Sequence, residues 1–200
     1  MNKLLISLLV TFGISGVAQA AGDAAAGKAN TAMCAACHSA DGNSAVPNFP
    51  KLAGQNEAYL LKQLKDIKAG SRQVVEMTGL LGGYSDQDLA DISAYFASQK
   101  VQIGQTPEDQ VALGQQIYRA GLKDKGVAAC TACHSPNGTG VASAGFPALS
   151  GQHATYVEKQ LKAFRDGARA NDPNGMMRDI AAKLSDIEIK AVAAYVQGLN

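Results

Sequence analysis

The chain has 200 residues, is 46% hydrophobic but only 6% aromatic, and sets 18 basic residues against 17 acidic ones. That length suits two small domains better than one, and a half-chain domain of under about a hundred residues leaves much apolar surface uncovered unless it folds around something large and apolar. The near-neutral charge argues against a nucleic-acid partner, because neutralising phosphates requires a basic surface.

Residues 1–20 read as a signal peptide. Lys3 supplies the positive start, Leu4 to Val10 opens an apolar stretch that continues through Phe12, Ile14 and Val17, and Ala18-Gln19-Ala20 is a small-x-small cleavage site. Gly13, Ser15 and Gly16 interrupt the apolar run, which is too short to cross a bilayer, where about 20 apolar residues are needed. The mature chain is then expected to begin at Ala21, to be exported to the periplasm and to carry no transmembrane segment. Asp23 is placed to cap a helix leading toward Cys37. Gln55 to Ala69 repeats apolar residues at Leu60, Leu61, Leu64 and Ile67 and stops at Gly70, one face of a second helix. Ser85 opens a third, with Asp88 three residues on and a stripe of Leu89, Ile92 and Phe96. Gln99 to Thr106, with Gly104, reads as a linker. Thr106-Pro107-Glu108-Asp109 is a strong helix start. Ala154 to Asp166 and Ser185 to Gln197 follow, the latter with Ser185 and Glu188 as a capping box. No segment alternates as a strand does. The expected fold class is all-α, with domains at 21–104 and 105–200.

The two halves repeat one another. Cys34-Ala35-Ala36-Cys37-His38-Ser39 returns as Cys130-Thr131-Ala132-Cys133-His134-Ser135, and Phe49-Pro50-Lys51-Leu52 as Phe146-Pro147-Ala148-Leu149. Gly54-Gln55 matches Gly151-Gln152, and each leads into Tyr-x-x-x-Gln, Tyr59 to Gln63 and Tyr156 to Gln160. Ser85-Asp86 and Ala94-Tyr95 match Ser185-Asp186 and Ala194-Tyr195. A unit of roughly a hundred residues repeated once is a tandem domain, not a solenoid.

Cys-x-x-Cys-His is the attachment signal of c-type haem. Residues three apart share a helix face, so both sulfurs can reach the two vinyl groups of one haem and form thioethers. The next residue, His38 or His134, then offers its imidazole to the iron. A thioredoxin-like pair would need a βαβ context, and a zinc site would need both motifs on one metal. All four cysteines of the chain lie in the two motifs, so none remains for a disulfide. The expectation is two haem c groups, one per domain, bound covalently through Cys34 and Cys37 and through Cys130 and Cys133.

A methionine thioether is the usual partner of histidine in electron-transfer cytochromes. Met77 lies seven residues before Tyr84, which precedes Ser85, and Met177 lies seven before Leu184, which precedes Ser185. The repeat thus selects His38 with Met77 and His134 with Met177 as axial pairs. Met176 competes by adjacency, but its repeat partner is Glu76. Met33 reads as core filler. His153, matched by Asn56, reads as a helix-capping or surface residue.

These motifs, with the Phe-Pro-x-Leu and Gly-Gln segments and the closing Ala-Tyr helices, make residues 21–200 resemble the cytochrome c4 family, bacterial dihaem proteins of two tandem class I cytochrome c domains. The resemblance implies that Pro50 and Pro147 lend their carbonyls to the ring N–H of His38 and His134. It implies that each closing helix crosses the opening helix of its domain and that the haem propionate edges face a shared interface. It also implies an electron carrier, not an enzyme, associated with the outer face of the inner membrane. Its redox partners would be a respiratory donor complex and a terminal oxidase. The alternatives are a dihaem subunit of a larger dehydrogenase and a dihaem oxidoreductase such as a peroxidase. The second would need an open or thiolate-ligated iron, and no cysteine is spare for it.

Overall fold

The computed structural model describes residues 22–200, so the expected signal peptide lies outside the described residues. Nine α-helices are described: α1 (Ala24–Ala29), α2 (Ala32–His38), α3 (Glu57–Lys68), α4 (Asp86–Ala97), α5 (Glu108–Ala120), α6 (Thr131–His134), α7 (Ala154–Arg165), α8 (Met176–Ala181) and α9 (Asp186–Gln197). Short 3-10 turns lie between them, and isolated bridges, Leu122 to Val127 and Val141 to Phe146, stand in place of strands among the described residues.

The helix ends follow local chemistry. Asp23 caps α1 by accepting from the backbone N–H of Ala25 and Ala26. Ser85 and Asp88 close a full capping box on α4, as Ser185 and Glu188 do on α9. One expectation fails: the helix from Asp23 toward Cys37 is broken. Asn30 ends α1, and α2 starts two residues later. The carbonyls freed at the break find donors, Thr31 Oγ1 on the Lys28 oxygen at 2.9 Å and Tyr84 OH on the Asn30 oxygen at 3.2 Å. In the second half the same break widens into a loop, Gly121 to Ala129, closed by the Leu122–Val127 bridge.

Each half is held by its first and last helices. In the first, α1 and α3 pack on α4; in the second, α5 and α7 pack on α9. Leu60, Ile92 and Phe96 are buried together with Cys34 against them, and Ile117, Tyr118, Val157, Val192 and Val196 form the larger second core with Cys130 at its edge. Both cores therefore border a Cys-x-x-Cys-His motif. The helix crossings pass over glycines. A Cβ on Gly27 would sit 1.9 Å from the Asp91 oxygen, and one on Gly114 2.5 Å from both the Ala191 oxygen and the Tyr195 Cβ.

Gly114→Ala is therefore expected to destabilise the second domain. The alanine gains helix propensity of about 1 kcal/mol. Overpacking against backbone costs about 1–3 kcal/mol, and the net loss appears as a lower midpoint in denaturant titration of the holoprotein. An unchanged midpoint would mean that the crossing can open.

Candidate functional site

Helix α2 presents Cys34, Cys37 and His38, and α6 presents Cys133 and His134 with Cys130 at its N-terminal cap. Among the described residues no disulfide joins any of the four sulfurs. Each helix ends directly after its histidine, because Ser39 (φ 65°, ψ 159°) and Ser135 (φ 68°, ψ 159°) adopt a backbone conformation that is normally left to glycine. The same strain at the same place in both halves turns the chain away and leaves the imidazole facing the core.

Both histidines are buried, 8% and 7% exposed. His38 Nδ1 lies 2.9 Å from the Pro50 oxygen, and His134 Nδ1 lies 2.9 Å from the Pro147 oxygen. A carbonyl only accepts, so Nδ1 carries the proton and Nε2 keeps its lone pair. Burial pushes both imidazoles below the ordinary histidine pKa, and the carbonyl bonds offset that only in part. The rings are thus neutral bases with one free nitrogen each, the form a metal binds. Phe49 and Phe146 stand 6.3 Å from them, tilted edge to face, so each Phe-Pro pair supplies both a wall and an acceptor. Met77 ends a 3-10 turn (Val75–Met77) and is half-buried; Met177 is the second residue of α8 and also half-buried. Met176 points outward, 40% exposed.

The two halves meet across a surface that obeys the repeat. The Gln55 side chain accepts from Ala148 N–H at 2.7 Å and donates to the Ala148 oxygen at 2.8 Å. Gln152 does the same to Lys51, accepting at 2.8 Å and donating at 2.8 Å. Asn56 Nδ2 donates to the Phe146 oxygen at 2.8 Å, and His153 Nε2 lies 2.7 Å from the Ser44 oxygen. His153 neither caps α7 with its side chain nor faces solvent alone, contrary to expectation; its ring crosses to the other domain. Deeper in the interface sit Arg72 and Arg169, 9% and 8% exposed. Arg72 donates to Gln63, Tyr156 and Gln160, and Arg169 to Gln160, Tyr59 and Gln63. Among the described residues neither guanidinium joins an ion pair within 4.0 Å. Burial alone would raise the Tyr156 phenol, but Arg72 and Arg169 outweigh it and hold its pKa below the ordinary value. The cluster is thus a buried pocket of surplus positive charge.

The linker is strapped to both sides. Asn43 bonds the Lys100 oxygen and Gln102 N–H, while Gln197 bonds the Gln105 oxygen and accepts Gly104 N–H on its backbone oxygen.

Two copies of one haem-attachment geometry, mirrored across such an interface, decide the family. The cytochrome c family model matches residues 24–100 and again 111–200. The chain is 62% identical to cytochrome c4 of Pseudomonas aeruginosa, with 100% of each covered. It superimposes on the crystal structure of reduced recombinant cytochrome c4 from Pseudomonas stutzeri with a TM-score of 0.89 at 55% identity, over 90% of this chain and 100% of that one. The chain belongs to the cytochrome c4 family. It is also 40% identical to a thiosulfate dehydrogenase electron acceptor of Stutzerimonas stutzeri, over 84% of this chain and 81% of that protein. The protein is thus a two-domain, all-α electron-transfer protein with one covalent haem c in each domain. The residues present fit the group: paired thiols beside each core, a neutral buried imidazole next to them, and two buried guanidiniums with no carboxylate within 4.0 Å among the described residues.

Arg72, Arg169, Tyr59, Gln63, Tyr156 and Gln160 have no place in the sequence-derived site. A signal for them was present, since Arg72 follows Gly70 by two residues and Arg169 follows Gly167 by two. Polar residues repeated between halves, with no role in haem attachment, belong where the halves meet.

Proposed function

We propose that this protein is a periplasmic dihaem carrier that shuttles single electrons in a respiratory chain toward a terminal oxidase. Residues 1–20 would be its leader, and 21–104 and 105–200 its two carrier domains. His38 and Met77 would ligate one iron, His134 and Met177 the other. Pro50 and Pro147 would orient the imidazoles, and Arg72 and Arg169 would neutralise the propionates. When bound, each haem supplies an Fe(III)/Fe(II) couple. With a histidine and a methionine held for each iron, the chain would leave no open position for a substrate. The observation that carries the reading is the exposure pattern, Met177 half-buried in register with Met77 and Met176 turned to solvent. Among the described residues no helix is long and apolar enough to cross a membrane.

A second reading has the same chemistry but a dedicated donor. The similarity to a thiosulfate dehydrogenase electron acceptor favours a carrier that serves such an enzyme. Mixing the reduced holoprotein with oxidase-containing inner membranes separates the two. Reoxidation that saturates with carrier and stops with an oxidase inhibitor supports the respiratory role. No reoxidation by membranes, with rapid reduction by thiosulfate dehydrogenase, would replace it with the second.

A further inference from the structure

The interface glutamines touch the chain at a chemically special place. Pro50 C=O, which accepts from His38 Nδ1 at 2.9 Å, and Lys51 N–H, which donates to Gln152 Oε1 at 2.8 Å, are the two ends of one peptide group. The repeat makes the same construction in reverse: Pro147 C=O accepts from His134 Nδ1 at 2.9 Å, and Ala148 N–H donates to Gln55 Oε1 at 2.7 Å. Each proximal histidine is therefore one conjugated peptide away from a side chain of the other domain. Both glutamines are 8% exposed, and their Nε2 groups pin the following carbonyl as well, so neither amide can rotate freely.

We propose that Gln152 and Gln55 are cross-domain positioning residues, each setting the reduction potential of the haem in the opposite domain through that peptide. The proposal rests on His38 and His134 being the proximal ligands. Peptide resonance couples the two ends of the group. An N–H that donates a hydrogen bond leaves its C=O more negative, and bonds in such a chain strengthen one another. A stronger acceptor at Nδ1 makes the imidazole a more basic ligand. A more basic ligand stabilises Fe(III) over Fe(II), so each glutamine lowers the potential of the haem it does not share a domain with. Domain docking is thereby written into the potentials by a path separate from direct repulsion between the two irons.

The test uses the intact dihaem protein. Gln152→Met keeps the length of the side chain and removes both amide bonds. It should raise the potential of the first-domain haem by at least threefold in the reduction equilibrium, roughly 30 mV at 59 mV per tenfold for a one-electron couple. The second-domain haem should stay where it was. Gln55→Met should do the mirror image and gives the answer from the other side if Gln152→Met does not assemble. The potentials are assigned to domains by following each haem's proton NMR signals through the titration. In the reduced variant the Nδ1 proton of His38 should also move to higher field, as its bond weakens. His153→Ala is the control for simple loosening, since it removes the contact with Ser44 and touches neither peptide; both potentials should hold. Unmoved potentials in the glutamine variants would overturn the proposal. So would a shift in the glutamine's own domain, or an equal shift in His153→Ala. The ligand assignment fails separately: a His38→Ala protein that kept its native absorption spectrum would sink that reading, whatever the glutamines do.

Discussion

Replacing Met177 with alanine is expected to remove half of the sulfur-to-iron absorption of the oxidised protein and to lower one of its two potentials. Met77→Ala should remove the other half, and Met176→Ala should change neither. A thioether ligand favours Fe(II), so its loss stabilises Fe(III). A fall of roughly 100 mV or more is in scale with the range of about 0.8 V that axial ligands span. The expectation has two independent legs. The repeat aligns Met177 with Met77 through the matched helix starts at Ser85 and Ser185. The structure then separates the adjacent pair by environment, Met176 40% exposed and Met177 half-buried at the start of α8. A band lost with Met176→Ala and kept with Met177→Ala would show that the two halves present their methionines from different registers.

What was legible in the sequence is what local chemistry determines. Cys-x-x-Cys-His needs only one turn of helix to be meaningful, so both attachment motifs could be read from spacing alone. The helix boundaries at Ser85 and Ser185 were legible because a capping box is a short-range reciprocal bond. The break between α1 and α2 was not, since it depends on Tyr84, more than fifty residues away, accepting the task of satisfying the Asn30 carbonyl. His153 was misjudged for the same reason: its partner, the Ser44 oxygen, lies 109 residues off in the other domain. The interface as a whole escaped because each of its residues is polar and unremarkable by itself. Gln63 becomes an interface residue only when Arg169 and Asn171, 106 and 108 residues later, reach its oxygen.

The largest stability effect is expected from the paired arginines, and its form matters more than its size. Gln63 Oε1 accepts from Arg72 and Arg169, and Gln160 Oε1 accepts from both as well. Removing one arginine leaves each glutamine oxygen with the other. Arg72→Met or Arg169→Met alone should therefore cost only about 1–3 kcal/mol, the order of one lost buried polar partner. That corresponds to a drop in melting temperature of about 2–12 °C, at about 2–4 °C per kcal/mol for a chain of this length. The double variant strips the Gln160 oxygen, leaves that of Gln63 with Asn171 alone, and leaves Tyr59 and Tyr156 without their partners. Its cost should exceed the sum of the singles, as groups in one network do not add. The redox consequence has a definite sign. A guanidinium between the domains favours the added electron of Fe(II), so each single variant should lower the potentials, and the double should lower both further. Thermal melting and redox titration of the four holoproteins, wild type included, read out both effects. Strictly additive melting shifts with unmoved potentials would mean that the arginines merely fill the interface and that its positive charge is balanced by something other than the haems.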